Sequence, residues 1–326
     1  MEMRDFKTKI AVVTGAGSGI GRELARELMR EGCGVAFCDV NSGGIAETLR
    51  LCREDNPTGA LVSGFVCDVE DEAQVQQFAE DTRVRHNTDH IDLLINNAGI
   101  NGGGSFVEDS RQEWERTFNI CWSGVYLVTR TFFPLLKASG EGHLVNMSSV
   151  NAIRAVLGGH VPHTAYSTAK FAVRGFSEAL IHDFRFNAPH LSVSVVMPGH
   201  TGTDIISNSL KILGQNTPEG WSEEEILRTK KRWNIAGHDN VDTMSAEDAR
   251  VAGTREIGNM RDFGLPAADA AKIILEGVKN KQWRILIGSD TVTLDQLVRE
   301  SPDTAYDPDF VDRWQNEHAK YQEAGE

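Results

Sequence analysis

Seven short apolar runs, rich in valine and isoleucine, recur along the chain at residues 10–13, 34–38, 61–67, 93–96, 143–147, 192–196 and 284–287. Segments of helical periodicity separate most of them, at residues 21–30, 72–85, 112–137, 165–186 and 267–278. A strand with one wet face alternates apolar and polar residues; strands apolar nearly throughout need cover on both faces. Strands joined through helices meet that need as a parallel sheet with helices on each side. The pattern predicts an α/β fold, a Rossmann-type doubly wound parallel sheet.

The alternation breaks once. Residues 204–263 carry glycine, asparagine, proline and many charges, with helical patches at 223–233 and 245–250 but no strand candidate. The last helix and strand of the sheet follow, so this segment reads as an insertion in a single domain spanning residues 1–326. Insertions at the carboxyl edge of such a sheet commonly shape a ligand site, which makes 204–263 a variable substrate lid. A C-terminal extension, 288–326, holds one helical stretch at 294–300, the polar run SPDTAYDPDF and a final helical segment. It has two places to go, the core or a partner subunit. No internal repeat is visible.

With 326 residues, 40% of them hydrophobic and 25% charged, the chain can bury a full core. A formal net charge of -14 argues against nucleic acid and anionic membranes, which select clustered Lys and Arg. The N-terminus lacks a long apolar region and no run is long enough to span a bilayer, so a cytoplasmic protein is expected. Five cysteines, Cys33, Cys38, Cys52, Cys67 and Cys121, without C-x-x-C spacing suit reduced, buried thiols. Asn146-Met147-Ser148 matches a glycosylation sequon inside a buried-strand pattern and reads as chance.

The first strand runs directly into TGAGSGIG, residues 14–21. Neither G-x-x-x-x-G-K nor strict G-x-G-x-x-G fits. Gly15, Gly19 and Gly21 form G-x-x-x-G-x-G, with Ser18 and Ile20 inside the loop. Between a strand and a helix, glycines at such places allow a tight turn, close approach to a phosphate and helix packing. A plain glycine-rich turn is the bland alternative. The second strand ends at Asp39, eighteen positions beyond Gly21. A carboxylate there accepts hydrogen bonds from both hydroxyls of an adenine ribose and repels a 2′-phosphate, which predicts NAD rather than NADP. Asp39 could also simply open the turn Asn41-Ser42-Gly43-Gly44.

The stretch AYSTAKFAVRGF places Tyr166 and Lys170 four positions apart, on one face of a helix. A surface polar pair has the same spacing, so the pair needs company. With strand, glycine motif, terminal acid and Y-x-x-x-K in order, the chain resembles the short-chain dehydrogenase/reductase family. Other matches follow in the family's order. Asp68 with Val69 resembles its adenine contact, Asn96-Asn97-Ala98-Gly99 its NNAG block and Asn119 its helical asparagine. Ser149, closing VNMSS, matches the catalytic serine, and Pro198-Gly199-His200-Thr201-Gly202-Thr203 resembles PG-x-V-x-T with Thr201 in place of valine. The resemblance covers residues 6–203 and resumes at the last helix and strand. The chain departs from the family in two places, a lengthened loop between Ser149 and Tyr166 and the long segment 204–263.

The resemblance implies NAD held by Gly15, Ser18, Gly19, Ile20, Gly21, Asp39, Asp68, Val69, Asn97, Tyr166, Lys170, Pro198, Gly199, Thr201 and Thr203. It implies Tyr166 as general acid/base for a secondary alcohol or ketone. Free tyrosine, with a pKa of about 10, is a poor base at neutral pH, and an adjacent ammonium favours the phenolate. By the same resemblance Lys170 holds the nicotinamide ribose, Ser149 binds the substrate oxygen, and Asn119, through its carbonyl and a water, links Lys170 to solvent. His160 and His163 in the lengthened loop read as solvated, and His200 as a neighbour of the carboxamide. No cluster has metal-ligand spacing. Trp114 and Trp122 read as helix-packing residues.

The helices holding Asn119 and Tyr166 are apolar on more than one face (Val125, Leu127, Phe132; Phe171, Val173, Phe176, Leu180). In this family such faces meet another subunit, which implies a homodimer or homotetramer. Ile205, Ile206, Leu210, Ile212, Leu213 and Trp221 in the lid suggest a lipophilic substrate. Two further readings keep the fold: an epimerase or dehydratase, whose additional acid or base is not found, and a non-catalytic NAD-sensing or partner-binding protein.

Overall fold

The computed structural model describes residues 5–102, 104–157 and 162–325. Each apolar run is a strand: β1 (Ile10–Thr14), β2 (Gly34–Asp39), β3 (Val62–Val66), β4 (Leu93–Asn96), β5 (Gly142–Met147), β6 (Leu191–Pro198) and the last of the sheet, β9 (Arg284–Ile287). They make one parallel sheet in the order β3-β2-β1-β4-β5-β6-β9. Strand alternation assigns its two faces. Ala11 and Val13 bury against Leu24 and Leu28 of α1 (Gly19–Arg30) and Ile274 of α10 (Ala267–Lys279). Val12 buries on the opposite side, with Phe78 of α3 (Glu72–Arg85), Phe132 of α5 (Gly124–Ala138) and Ala169 of α6 (Thr164–Asn187). Two-sided burial is why most strand positions are apolar. The chain winds outward in opposite directions from β1 and β4, so a crevice opens at their carboxyl ends.

Sequence periodicity missed some elements. Helix α2 (Ser42–Glu54) begins where the sequence suggested a turn; Asn41 caps it by accepting from Gly44 N. Its early glycines lower helix propensity, and Gly44 is there for contact, since a Cβ on it would stand 2.6 Å from Gly17 O. The stretch expected as one helix at 112–137 is α4 (Arg111–Phe118), a π-turn (Asn119–Ser123) and α5. The lid has three helices, α7 (Ile205–Leu213), α8 (Glu223–Ile235) and α9 (Ala246–Asp262), of which α7 was not anticipated. Two short parallel strands, β7 (Thr201–Gly202) and β8 (Leu265–Pro266), close the neck of the insertion. Trp221, Ile226, Trp233, Val241 and Ala249 give the lid a small core of its own.

The C-terminal extension folds back on the sheet as α11 (Ser289–Glu300) and α12 (Phe310–Gly325). Leu294, Ala305 and Phe310 bury with Val150, Ile153, Val195 and Met197. All five cysteines are free and buried. Burial pushes the Cys33, Cys38 and Cys52 thiols well above their ordinary range, which makes them inert packing residues. No helix among the described residues is long and apolar enough to cross a membrane.

Two histidines in the fold are held neutral. His143 on β5 is buried with its Nε2 2.7 Å from Ser194 Oγ, and burial lowers its pKa to about 3. His86, 2.8 Å from Ser63 Oγ, is lowered by burial to about 4. Both lie below the unfolded value of about 6.5, so the unfolded chain takes up protons first as pH falls and stability drops. Urea melts between pH 6.5 and 5, above the carboxylate range, should show unfolding free energy falling by up to about 1.4 kcal/mol per pH unit for each histidine. A His143→Gln variant should lose one share of that slope; an unchanged slope would contradict the assignment.

Candidate active site

The crevice at the switch point is a cleft of about 480 Å³. Gly15, Ser18, Gly19, Ile20, Asp39, Asp68, Val69, Asn97 and Thr203 line it. The backbone explains the glycines. Gly15 sits at φ +65° with a would-be Cβ 2.6 Å from Ala98 Cα, and a Cβ on Gly21 would stand 2.3 Å from Gly15 O. Gly21 is therefore a packing glycine that lets α1 seat against the turn, and it does not line the cleft itself. Ser18 caps α1 without bonding its first amides, which leaves those N–H groups aimed at the loop's concavity. Such a cradle, with the positive end of a helix behind it, fits the diphosphate of a dinucleotide.

Asp39 is shared between loop and cleft. One carboxylate oxygen accepts from Gly17 N at 2.8 Å and the other from Asn41 N at 2.9 Å. An ionised carboxylate has acceptor capacity left for ribose hydroxyls. Asn97 acts on the turn more than on the cavity, its amide donating to Thr14 O and Gly15 O at 3.0 Å each. The Asp68 carboxylate accepts from Arg116 Nη2 at 2.9 Å, and Arg116 also pairs with Glu70.

Sequence reading missed Arg116 and the lid residues Asn208 and Lys211, which also line the cleft. Asn208 donates to Ser18 Oγ at 3.2 Å, which ties α7 to the glycine loop. Lys211 has no ion-pair partner among the described residues, so its charge faces the cleft uncompensated. Only the spacing of Ile205, Asn208 and Lys211 along one helical face could have suggested them, and that needs α7 to be recognised as a helix. Ile205 and Ile212 face this cleft, whereas Trp221 packs inside the lid.

The second half of the site lies on β5, β6 and α6. Lys170 is buried, and its Nζ donates to Met147 O at 2.9 Å. The same ammonium stands 5.4 Å from the centre of the Tyr166 ring and 3.5 Å from where a Cβ of the cleft residue Gly99 would be. The Tyr166 hydroxyl makes no hydrogen bond to another described residue. Of the two serines ending β5, Ser148 spends its hydroxyl on Lys170 O at 2.8 Å. Ser149 caps a short 3₁₀ turn, its Oγ accepting from Asn151 N at 3.1 Å. Ser148 thus ties β5 to α6, while Ser149 Oγ also donates to Asn151 Oδ1 at 3.4 Å.

Asn119 opens the π-turn, its carbonyl accepting from Gly124 N and its side chain from Ser123 Oγ at 3.3 Å. Its side chain is exposed rather than aimed at Lys170. Pro198, Gly199 and Thr201 are not among the residues lining the cleft; Pro198 ends β6 and Thr201 begins β7, and in the bend between them His200 N donates to Asp290 Oδ2 at 2.8 Å. His163 departs from the solvated reading. It is half-buried, its ring centre 6.4 Å from that of Tyr166, and burial lowers its pKa, so it stays neutral. His160 lies outside the described residues. Trp114 stacks on Phe118 of its own helix and donates from Nε1 to Thr164 Oγ1 of α6 at 3.1 Å, and Trp122 packs edge-on against Phe176 of α6, so both are helix-packing residues. Among the described residues no group of three or more His, Cys, Asp or Glu could hold a metal.

A glycine cradle at the switch point of a doubly wound sheet, with the half-buried Tyr166 and the buried Lys170 near it on α6, is the arrangement of a nucleotide-dependent oxidoreductase. The chain belongs to the short-chain dehydrogenase/reductase family: the family described as short chain dehydrogenase matches residues 9–211. A Mycobacterium tuberculosis protein named as an oxidoreductase, SadH, is 37% identical over 298 residues, 91% of this chain and 92% of its own. Levodione reductase of Leifsonia aquatica is 30% identical over 234 residues, covering 71% of this chain and 84% of that protein. A short chain dehydrogenase/reductase of Burkholderia phymatum, solved in complex with NAD, superposes with a TM-score of 0.71 at 26% identity, over 93% of this chain and 97% of that one.

Proposed function

We propose that the protein interconverts a secondary alcohol, of lipophilic character, and its ketone, using NAD. The observation that carries the reading is the Tyr166 hydroxyl, which bonds no other described residue and is backed by the buried Lys170 ammonium beside the dinucleotide cleft. The nicotinamide, when bound, supplies the hydride acceptor. The chain supplies the proton chemistry. Tyr166 accepts the hydroxyl proton of the alcohol, with the Lys170 ammonium 5.4 Å from the centre of its ring. Ser149 donates to the substrate oxygen and steadies the charge that develops there. One Lys170 N–H is engaged by Met147 O, leaving two for the ribose and for a water at the Asn119 carbonyl, through which the proton reaches solvent.

NAD is favoured by Asp39, and the Burkholderia relative solved with NAD agrees. Lys211 and the first turn of α1 would face the diphosphate. A ketone substrate accords with a relative named as a levodione reductase. The experiment is NADH formation from NAD with a panel of lipophilic secondary alcohols, run beside NADP. Turnover with NAD supports the proposal; tight NAD binding without turnover on any alcohol or ketone would favour a nucleotide-sensing protein.

Exposed Tyr126 on α5 and Phe171 on α6 suit burial against a second copy, and we assign a homodimer or homotetramer. Light scattering should give a multiple of 35.9 kDa, and the monomer mass at micromolar concentration would remove the assignment.

A further inference from the structure

The tail beyond β9 reaches the site through one hydroxyl. Tyr306 OH accepts a hydrogen bond from Ala155 N at 3.0 Å, and Arg154 Nε donates to Ala305 O at 2.6 Å. The Arg154 guanidinium is buried, lying 5.2 Å from the Tyr306 ring centre and 4.8 Å from that of Phe310. Arg154 has no carboxylate partner among the described residues, so those two rings and one carbonyl are what receive its charge. Without the tail this segment would expose Ile153 and lose the aromatic bed beneath Arg154.

From Ala155 a polar chain runs to the reactive serine. The Ala155 carbonyl accepts from Ser167 Oγ at 2.6 Å and from Asn151 Nδ2 at 3.3 Å. Asn151 Nδ2 also meets Ser167 Oγ at 3.3 Å, and Asn151 N donates to Ser149 Oγ at 3.1 Å. Ser167 neighbours Tyr166 on α6. The tail grips the facing loop as well: Asp290 accepts from His200 N, and a Cβ on Gly199 would strike its carboxylate at 2.3 Å. Trp314 Nε1 in turn donates to Asp290 O at 3.1 Å.

We propose that the C-terminal extension is a positioning device for catalysis, in which Tyr306 and Arg154 fix the 149–155 segment and with it the direction of the Ser149 hydroxyl. Tyr306 and Arg154 touch no reacting atom; they act through Asn151 and Ser149. The inference rests on the role proposed above for Ser149. It also explains why a mostly polar tail is anchored by the wholly buried Phe310.

Tyr306→Phe is the test, because it removes one hydroxyl from a ring that is 61% exposed and keeps the stacking on Arg154. Hydrogen exchange followed by mass spectrometry should show amides of residues 149–157 exchanging about tenfold faster, as loss of one ordinary hydrogen bond allows, with β1 unchanged as the internal control. On the alcohol panel kcat should fall about tenfold while KM for NAD stays within about twofold, the split expected when an interaction made in the transition state is weakened. Arg154→Lys, which keeps the charge and loses the planar fork, should shift both readouts the same way. Unchanged exchange in 149–157, or a wild-type kcat in Tyr306→Phe, overturns the proposal. Should the wild-type protein oxidise no alcohol, the proposed function falls, and the exchange measurement alone decides whether the tail orders the serine segment.

Discussion

Replacing Tyr166 with phenylalanine should lower NADH formation by about a thousandfold, the middle of the range for removing a positioned acid/base. The fold should be indifferent. The hydroxyl makes no hydrogen bond to another described residue, and the ring, packed beside the core cluster that contains Ala169 and Phe184, is retained. NAD affinity should stay within about threefold, because the cradle built by Gly15, Gly19 and the α1 amides is untouched. Steady-state rates beside fluorescence titration of NAD check both halves. A rate within tenfold of wild type would mean that another group takes the proton, and the neutral His163 ring nearby would be the first to examine.

Asp39→Asn should collapse the preference for NAD over NADP by about a hundredfold, since removing a full negative charge near the 2′ position relieves a repulsion of a few kcal/mol. NAD itself should bind less tightly. The carboxylate bonds Gly17 N and Asn41 N, and an amide presents one acceptor where the acid presented two oxygens, so the turn loosens on one side. The ratio of kcat/KM for the two cofactors is the measurement. An unchanged ratio would show that Asp39 is a loop residue and no more, the alternative its neighbours Asn41 and Ser42 always allowed.

How far the sequence could be read follows from what each feature depends on. The seven strands were legible because burial on two faces keeps most of their positions apolar, as in Leu93, Leu94 and Ile95 of β4. That Gly15 and Gly19 line the cleft and that Tyr166 and Lys170 adjoin on α6 was legible because local spacing sets both. Helix α2 was hidden by Ser42-Gly43-Gly44, a run of low helix propensity in which Gly44 is required by its close approach to Gly17. Arg116, Asn208 and Lys211 were hidden because they enter the cleft from elements whose placement depends on tertiary packing. The link from Tyr306 to Ala155 spans 151 positions, and no local pattern encodes it. The sequence placed Ser149 at the family's serine; that its neighbour Ser148 gives its hydroxyl to Lys170 O was hidden, because that bond depends on how α6 packs on β5.

Direct hydride transfer from alcohol to nicotinamide is the central claim, and isotope placement tests it. The best alcohol of the panel, deuterated at its carbinol carbon, should yield NADH carrying one deuterium at C4 of the nicotinamide, with none appearing when the label is on the hydroxyl. NADH without that deuterium, or NAD that binds and is never reduced, would contradict the account.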